Sequence, residues 1–558
     1  MRPLLSAIAF GILVSSPLSA RADEPLLVGD QLVFPSDAEI PRYLTDAERA
    51  YLKRFGPIAA PRGTTPPPTG PIHCVAEYEP MAGLLLSHQG SSGWLTILNQ
   101  VAAKATTAGN ALCWYVIDVA GEQTTITNAV AANGGDTSRL RFLNRFTDTI
   151  WIRDYGPRYI YEGQCRAIVD HTYNRPRPND DAFSSWWSTQ IKHAFYELPL
   201  VHGGGNYQLS ALGDSNCSQL IQNENLGLSA AQIIGYWQSY QNVNTTIRTA
   251  LPTSVDSTQH IDMWMQVCGD RKVVISDWPF NVGSTQDNIC DTTAAAMAAD
   301  GYTVYRVPAR SLSGVHYTYT NVVICNNLIL VPTYTNATIV AAGHNTEALT
   351  AWQTAMPGYD VQQINCQAIV SAAGIMHCIV MHVPAHLGGV NPTAYLKTLR
   401  GGEVLTPASS VEIRWISDDD VATANVDLLL STNGGVSYDT VIASATADDG
   451  SLFWTVPDRY TPLGRIKVVA RDGLGNTGFD ASTGNITING TPGPLGDMNC
   501  DGVTDILDIN AFTLALSDVA AYGAAYPNCD ITRADCNLDG NIDVLDINPF
   551  IAELAGAL

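Results

Sequence analysis

Short apolar runs alternate with helix-like stretches from His73 to about Leu399, and this alternation is the strongest constraint on the fold. Apolar runs lie at residues 82–87, 272–275, 322–332 and 375–382, and helix-like stretches at 95–108 and 292–300. Strand and helix periods that alternate in this way predict a mixed α/β domain. Spacing alone leaves a doubly wound sheet possible.

Residues 400–490 have a different pattern, with short strand-like runs and no helical period. The runs VEIRW at 411–415 and VDLLL at 426–430 are followed by turn signals at Asn433-Gly434, Asp449-Gly450 and Asp472-Gly473. Short strands separated by such turns are typical of a β-sandwich. We therefore expect an all-β, immunoglobulin-like domain here.

The last module, residues 495–558, follows the Thr491-Pro492-Gly493-Pro494 segment and contains an internal repeat. Each copy places oxygen ligands at loop positions 1, 3, 5, 9 and 12 and Gly at position 6, as a calcium loop requires. The predicted ligands are Asp497, Asn499, Asp501, Asp505 and Asp508, then Asp535, Asn537, Asp539, Asp543 and Asp546. With Asp rather than Glu at position 12, the tandem loops resemble a small α-helical dockerin-like module. Calcium would be structural, and a cohesin-like protein is a possible partner.

The N-terminus predicts export. A basic residue at Arg2, an apolar stretch and a small-residue ending at Ala22 have the layout of a signal peptide, residues 1–22. Residues 23–70 contain one helix-like piece, 45–55, and end in a Pro-rich linker. No later stretch has the length of apolar sequence that a membrane helix requires. We expect a secreted or cell-surface protein.

Composition limits the partners. The formal net charge is -23, which argues against nucleic acid or an anionic membrane, because phosphate contacts need clustered Lys and Arg. An acidic surface would attract cationic substrates. Twelve cysteines in an exported chain allow disulfides, but a reactive thiol would leave at least one other cysteine unpaired.

Five separated segments carry a family resemblance. They read TIWIRDYGP at residues 149–157, YNRPRPNDD at 173–181, GGGNY at 203–207, QHIDMW at 259–264 and GIMHCIV at 374–380. In this order they resemble the bacterial (Porphyromonas-type) peptidylarginine deiminase and agmatine deiminase branch of the guanidine-modifying, or pentein, superfamily. The resemblance covers the predicted domain 71–399. It implies a pentein α/β-propeller, in which ββαβ units surround a central active site, and no cofactor for catalysis.

The chemistry that the resemblance implies needs a nucleophile, a proton donor and carboxylates. Cys378 as thiolate would attack the guanidinium carbon, and His260 would protonate the departing nitrogen and then activate water. We interpret the Cys378 segment as a strand, on which His377 would point to the opposite face and His382 would lie roughly 13 Å away. Both are therefore poor candidates for the base.

The remaining candidates bind the substrate. Asp154 and Asp262 would hold the guanidinium through charge-assisted hydrogen bonds, and Asn321 matches an active-site asparagine of the family. Arg175 and Arg177 are suited to a substrate carboxylate, Arg175 the more so, and Trp151 would form an apolar wall. The glycines at 203–205 would form a tight turn that lets the backbone approach the site.

The leading hypothesis is an exported enzyme that converts peptidyl-arginine, with a preference for C-terminal arginine, to citrulline and ammonia. An agmatine or free-arginine deiminase is the alternative of the same class. A third reading is a catalytically lapsed pentein that acts as a surface-assembly or binding protein through its dockerin-like tail.

Overall fold

The computed structural model describes residues 24–58, 65–527 and 529–556. These residues form an N-terminal segment, an α/β domain, a two-sheet β domain and a small helical module. The predicted signal peptide, residues 1–22, and residues 59–64 of the predicted linker lie outside the described residues.

The N-terminal segment, residues 24–58, contains a hairpin and one helix. The hairpin strands are Leu26–Val28 and Gln31–Val33, and the helix is Asp46–Phe55. Thr45 caps this helix by accepting a hydrogen bond from the Glu48 amide, while the Glu48 carboxylate accepts one from the Thr45 amide. This reciprocal capping box fixes the start of the helix, which the sequence predicts at 45–55. The hairpin was not predicted.

Five sheets of three or four strands make up the described part of the α/β domain. In pairing order their strands are Val380–Pro384, Met81–Ser87, Leu112–Ile117 and Leu140–Asn144; Ile72–Cys74, Arg158–Glu162, Cys165–Tyr173 and Ala194–His202; Gln208–Leu209, Asp214–Ser218 and Asn244–Arg248; Met265–Gly269, Lys272–Asp277 and Thr303–Pro308; and Val323–Cys325, Leu328–Thr333 and Asp360–Asn365. Every sheet combines an antiparallel pair with a parallel pair.

A parallel pair needs a crossover connection, which is usually a helix. The crossover helices are Ser92–Thr107, Glu122–Ala132, Phe183–Ile191, Ala230–Gln241, Thr285–Ala299 and His344–Ala355. Shorter elements are the helices Ile152–Tyr155, Pro178–Asp181, Leu220–Glu224 and Ala337–Ala341, the hairpin Arg310–Leu312 and Val315–Tyr317, and the 3₁₀ turns Thr137–Arg139, Ile261–Met263, Val370–Ala372 and His377–Ile379. Apolar side chains from the sheets and helices form the buried core.

The last strand of the domain returns to its beginning. Val380–Pro384 pairs antiparallel with Met81–Ser87, so the two ends of the domain lie together. Five sheets replace the single doubly wound sheet that spacing alone had left possible, and the expectation of repeated ββαβ units is confirmed. One local prediction was wrong: the chain around Cys378 is the 3₁₀ turn His377–Ile379, and the strand begins only at Val380.

The β domain consists of two sheets with a shared apolar core. One contains Thr393–Leu396, Ser410–Asp418 and Ser451–Thr455; the other contains Val404–Leu405, Ile486–Asn489, Tyr460–Asp472, Thr423–Ser431 and Thr440–Thr446, with Thr477–Ala481 paired to Tyr460–Asp472. Trp415 from the first sheet and Leu428 and Val468 from the second are buried together. Because Thr393–Leu396 pairs with Ser410–Asp418, the boundary lies before Thr393, not at residue 399 as predicted.

A buried ion pair joins the α/β and β domains. Arg166 donates from Nε to Asp418 Oδ2 and from Nη2 to Asp418 Oδ1, each at 2.9 Å. His193 and His386 also contact the Asp418 carboxylate. Although burial opposes its charge, these partners hold the pKa of Asp418 well below its usual value. The carboxylate is therefore charged and fully engaged at the junction.

The C-terminal module contains a repeated pair of elements, a 3₁₀ turn followed by a helix. Its elements are the 3₁₀ turns Ile506–Asp508, Ile531–Ala534 and Val544–Asp546 and the helices Ile509–Ser517, Val519–Ala525 and Ile547–Gly556. Phe512 and Phe550, which are equivalent in the repeat, stack with ring centroids 3.9 Å apart. A disulfide joins Cys500 to Cys529, and the other ten cysteines are free thiols. No helix in the described ranges is long and apolar enough to cross a membrane.

Candidate active site

Four of the five predicted catalytic residues each lie just before a strand of a different sheet, and His260 lies two residues before one of them, Asp262. Asp154 precedes Arg158–Glu162, Asp262 precedes Met265–Gly269, and Asn321 precedes Val323–Cys325. Cys378 precedes Val380–Pro384 in the same way. His260, Asp262, Asn321 and Cys378 have no exposed surface, and Asp154 is 1% exposed. The structure thus brings the five residues predicted to be catalytic into one buried centre.

Asp154 and Asp262 share a guanidinium, and it belongs to Arg42 of the N-terminal segment. Arg42 Nε and Nη2 donate to the two oxygens of Asp154 at 2.8 and 2.7 Å. Its Nη1 and Nη2 donate to the two oxygens of Asp262, both at 3.1 Å. Both carboxylates therefore bind one planar cation in a bidentate manner, which fixes its orientation as well as its charge.

The charges of this cluster stabilise one another. Burial alone would raise the carboxyl pKa values, but Arg42 lowers the pKa of Asp262 to about 2 and that of Asp154 well below its usual value. Burial alone would lower the pKa of Arg42, yet the two carboxylates raise it well above its usual value. The pocket is therefore built for a permanently charged guanidinium and retains two charged carboxylates around it.

His260 contacts the guanidinium directly. Its Nδ1 is 2.6 Å from Arg42 Nη2 and 3.4 Å from Asp154 Oδ1. Burial and the positive charge of Arg42 lower the pKa of His260, so the ring is neutral and accepts a hydrogen bond at Nδ1. The other ring nitrogen, Nε2, is buried and has no hydrogen-bond partner among the described residues. This imidazole is placed to exchange a proton with a nitrogen of the bound guanidinium.

Cys378 lies between Asp262 and Asn321. Its Sγ is 3.5 Å from Asp262 Oδ2, and Asn321 Nδ2 donates to Sγ at 3.2 Å. Asp262 Oδ2 thus contacts both the thiol and the guanidinium. Burial raises the pKa of Cys378 well above its usual value, against the lowering effect of Arg42. The residue is a protonated thiol here, and it must give up its proton before it can act as a nucleophile.

The glycine segment at 203–205 brings backbone against the pocket, as predicted. A Cβ atom on Gly205 would lie 1.8 Å from Arg42 Nη2, 2.7 Å from Asp262 Oδ2 and 2.8 Å from Asp154 Oδ1. The Gly205 amide also donates to Asp154 Oδ1 at 3.1 Å. Glycine is required at this position for close approach rather than for an unusual backbone angle.

Three groups of the site were not predicted as members. Arg42 was missed because nothing in its local sequence distinguishes it from an arginine at the surface. Glu77 was missed as well; it contacts His377 Nε2 at 3.0 Å and pairs with Arg153 at 2.7 Å. His377 Nδ1 lies 2.9 Å from Asp262 Oδ2. His377 does not point to the opposite face, as predicted for a strand, because the 3₁₀ turn directs it towards the same carboxylate as Cys378.

The three predicted substrate-binding residues separate into two groups. Arg175 Nε donates to the backbone oxygen of Arg42 at 3.1 Å, and the indole N–H of Trp151 donates to the oxygen of Ile40 at 2.8 Å. Both therefore bind the chain on either side of the arginine. Arg177 also donates to this chain, at the oxygen of Pro41 at 2.8 Å, but it is fully buried and pairs with Glu48 at 2.7 Å. Its prediction as a carboxylate ligand is corrected, because Glu48 already occupies its guanidinium.

The arrangement has the parts that hydrolysis of a guanidinium requires. Two carboxylates orient the cation, a thiol approaches one of them, and an imidazole contacts a nitrogen that could leave. The described residues also include one group of carboxylates close enough to share a metal ion, Asp277, Asp287 and Asp291, and it contributes nothing to this centre.

The predicted calcium loops have oxygen atoms of the right kind. In the first loop, Asp497 Oδ1 is buried and has no hydrogen-bond partner within the described part of the chain, while Arg533 pairs with Asp497 Oδ2 at 2.7 Å. Asp508 accepts backbone hydrogen bonds from Met498 and Asp505, and Asp546 accepts them from Asn537 and Asp543. Carboxylate and amide oxygens at this spacing fit a hard cation such as calcium.

Comparisons with known proteins agree with this geometry. A sequence model described as Porphyromonas-type peptidyl-arginine deiminase matches residues 73–384, which is more than half of the chain. A Legionella pneumophila protein assigned as an agmatine deiminase is 25% identical over 259 residues, covering 42% of this chain and 72% of the relative.

A solved structure supports the α/β fold. A structure assigned as an agmatine deiminase has a TM-score of 0.50 and 16% identity, over 57% of this chain and 96% of the other. A structure assigned as an arginine deiminase from Porphyromonas gingivalis has a TM-score of 0.47 and 18% identity, over 57% of this chain and 99% of the other.

Proposed function

Because the chain belongs to the Porphyromonas-type peptidyl-arginine deiminase family of pentein guanidine-modifying enzymes, we propose that it hydrolyses peptidyl-arginine to citrulline and ammonia. One observation supports a peptide rather than a free amine as substrate. Arg175 donates to a backbone carbonyl oxygen, that of the arginine whose guanidinium fills the pocket. A site that binds both ends of an arginine residue is suited to arginine within a polypeptide.

The chemistry uses the contacts around the guanidinium. Cys378, once deprotonated, attacks the guanidinium carbon and forms a C–S bond. The proton that the thiol gives up is relayed by His260 to the nitrogen that leaves as ammonia. Water then adds to the thiouronium carbon, His260 takes its proton, and the C–S bond breaks. Asp154 and Asp262 hold the cation in place through these steps.

The same contact supports a preference for C-terminal arginine. A terminal carboxylate would lie where the Arg42 carbonyl oxygen lies, and Arg175 would then form an ion pair instead of a neutral hydrogen bond. Charge-assisted hydrogen bonds are roughly twice as strong as neutral ones. Internal arginine would remain a substrate, because the chain continues past Arg42 without a break.

Agmatine is the competing substrate, since relatives of this chain are assigned as agmatine deiminases. Agmatine has no carbonyl for Arg175 to bind, and its terminal amine would be repelled by that guanidinium. Glu224 lies near Arg175, and burial raises the pKa of Glu224 to about 8. A carboxyl that is largely protonated at neutral pH is a poor ligand for an amine.

The test measures product release from three substrates in parallel: a peptide ending in arginine, the same peptide with arginine internal, and agmatine. Cys378→Ala is the inactive control, and labelling of Cys378 by a haloacetamidine reports a pocket that binds amidines. Turnover of both peptides, faster for the terminal arginine, supports the proposal. Turnover of agmatine alone contradicts it. If neither the full chain nor an Arg42→Gln variant, whose pocket lacks the Arg42 guanidinium, turns over a substrate or is labelled by the probe, the protein is a binding protein with a lapsed site.

We further propose that the protein is exported and that its C-terminal module binds calcium. The signal-like residues 1–22 support export, and so does the Cys500–Cys529 disulfide, because disulfides persist in oxidising compartments. Calcium bound to the two loops would stabilise the module without taking part in catalysis. Calorimetric titration with Ca²⁺ should detect binding to the full chain, and Asp508→Ala with Asp546→Ala should remove it. A dockerin-like role would then be tested by binding to a cohesin.

A further inference from the structure

The arginine that occupies the pocket belongs to the protein itself. We propose that Arg42 is an intramolecular substrate: the chain converts its own Arg42 to citrulline, and the N-terminal segment keeps other substrates out until this has happened. The proposal rests on the deiminase function proposed above and adds to it a modification site and a self-limiting step.

The side chain of Arg42 is bound as a substrate would be. Its Nε, Nη1 and Nη2 all donate to Asp154 or Asp262, and Nη2 also contacts His260 Nδ1. Asp262 Oδ2, which accepts from Arg42, is the oxygen 3.5 Å from Cys378 Sγ. An arginine held by ion pairs for structural reasons needs only carboxylates, whereas this one also contacts the imidazole and shares its carboxylate with the thiol.

The backbone around Arg42 is bound as well. The Arg42 amide donates to the oxygen of Ala372 at 3.0 Å, and Arg175 donates to the Arg42 oxygen. One residue earlier, the oxygen of Pro41 accepts from Arg177 at 2.8 Å, and the oxygen of Ile40 accepts from Trp151. Residues 40–42 thus lie along the domain as a peptide whose carbonyl groups all have donors, and the chain bends at Arg42 and Tyr43. This arrangement presents an arginine inside a polypeptide to the catalytic centre.

The same contacts exclude a second guanidinium. Arg42 has no exposed surface, and it uses both oxygens of both carboxylates. The Gly205 backbone forms the side of the pocket next to Arg42 Nη2, and even a methyl group on Gly205 would overlap this nitrogen. An external arginine would need the same four oxygens, so it can bind only after Arg42 has left. Because Arg42 is tethered to the pocket, it competes at an effective concentration in the millimolar range.

Conversion of Arg42 would weaken its own binding. The guanidinium and one water give a neutral ureido group and ammonium. The carbon first exchanges a nitrogen for Cys378 Sγ and then exchanges the sulfur for the water oxygen. No oxidant or cofactor is needed. The ureido group cannot form ion pairs with Asp154 and Asp262, and it places an oxygen acceptor where a donor had stood. Two buried carboxylates without a cation are unfavourable, so the modified side chain is released and the pocket becomes accessible.

The experiment maps residue 42 in the full chain. Digestion after lysine places Arg42 and the exposed Arg49 in one peptide that ends at Lys53, so Arg49 is an internal control. Fragmentation mass spectrometry should find citrulline at residue 42 and arginine at residue 49 in the wild type, and arginine at both in Cys378→Ala. The rate of conversion should not depend on protein concentration, because the reaction is intramolecular.

Two results would overturn cis conversion. One is an unmodified Arg42 in a preparation that turns over an external arginine peptide. The other is conversion that accelerates with protein concentration or that affects Arg49 equally. Either result needs only the wild-type chain, so it stands even if a variant folds poorly.

Substitutions at residue 42 test the blocking step separately. Arg42→Gln removes the cation and should turn over an external peptide without a lag, whereas Arg42→Lys keeps a cation that cannot be deiminated and should be slower by roughly tenfold or more. Arg54→Gln, in an exposed ion pair of the same segment, should behave as the wild type. Equal activity of the Lys and Gln variants would overturn the blocking step.

These results also separate the two proposals. Turnover of an external peptide by Arg42→Gln together with an unmodified Arg42 in the wild type refutes the inference and leaves the proposed function intact. Citrulline at residue 42 with no turnover of any external peptide by Arg42→Gln refutes external peptides as substrates and supports the inference.

Discussion

Arg177 and Glu48 form an ion pair in which both side chains are fully buried, with Arg177 Nε 2.7 Å from Glu48 Oε1. Glu48 also accepts a hydrogen bond from the Thr45 amide at the start of the helix Asp46–Phe55. The pair therefore joins the α/β domain to the capping box of the N-terminal helix. Breaking one side of a buried pair leaves an uncompensated charge, which costs about 3 to 5 kcal/mol.

Arg177→Met should therefore loosen the N-terminal segment. We expect faster amide hydrogen exchange over Asp46–Phe55, because the helix depends on this contact for its docking. Arg54→Met is the matched control, since Arg54 pairs with Asp30 at the surface and exposed pairs contribute little. Unchanged exchange in Arg177→Met would show that the hairpin and the other backbone contacts suffice to hold the segment.

Asp154→Asn should lower kcat/KM for an arginine peptide by about a hundredfold or more. The carboxamide keeps the shape of the side chain but loses the charge that holds the guanidinium, and losing one partner of a buried charged contact costs about 2 to 5 kcal/mol. Steady-state kinetics measure the effect. Asp136→Asn, a change of the same kind at a carboxylate outside the pocket, should leave kcat/KM as it is.

Gly205→Ala tests the shape of the pocket without changing any charge. The added methyl group would overlap the position of Arg42 Nη2, and a displacement of about 1 Å at a reacting group can cost roughly a hundredfold in rate. We expect a loss of that size in kcat/KM, with no change in overall secondary structure by circular dichroism. Gly227→Ala is the control, because a Cβ atom added to Gly227 would have no neighbouring atom within 4 Å. Full activity of Gly205→Ala would mean that the guanidinium binds elsewhere.

Glu224 should make stability depend on pH. Burial raises its pKa in the folded chain from 4.5 to about 8, so the unfolded chain loses this proton first as the pH rises. The contribution of Glu224 to the free energy of unfolding is complete below pH 4.5 and falls between 4.5 and 8, by at most about 1.4 kcal/mol per pH unit.

Glu224→Gln should remove this dependence and be more stable than the wild type at pH 8 but not at pH 4. Urea unfolding of both proteins at the two pH values measures the difference in their free energies of unfolding. The amide keeps an oxygen that can accept from Asn174 Nδ2, as Glu224 Oε1 does, so the comparison isolates the proton. A stability difference that is the same at pH 4 and pH 8 would contradict the shifted pKa of Glu224.

The centre of the site was predictable because its residues lie in recognisable motifs. Cys378, His260, Asp154, Asp262 and Asn321 were named from short segments, and the structure brings all five together. Their spacing in the chain carries no information about distance, since contacts such as Asp262 with Cys378 join separate sheets. It was the order of the motifs, and the family that this order resembles, that allowed them to be combined.

Other features had no local signal. Arg42 lies in an ordinary loop, and only the folded chain shows that its guanidinium reaches two carboxylates more than a hundred residues away in sequence. The 3₁₀ turn at His377–Ile379 was read as a strand because its residues are apolar and buried, which is typical of both. The strand Thr393–Leu396 was assigned to the wrong domain, because strand pairing is a long-range property.

The strand Val380–Pro384, which closes the α/β domain against Met81–Ser87, sets the order of events during synthesis. Cys378 and this strand are the last parts of the domain to be translated, so a nascent chain has no nucleophile and no complete centre until almost the whole domain has been made. Arg42 is translated before any of the residues that bind it. Synthesis therefore supplies Arg42 first and Cys378 last, so Arg42 is already present when the pocket forms.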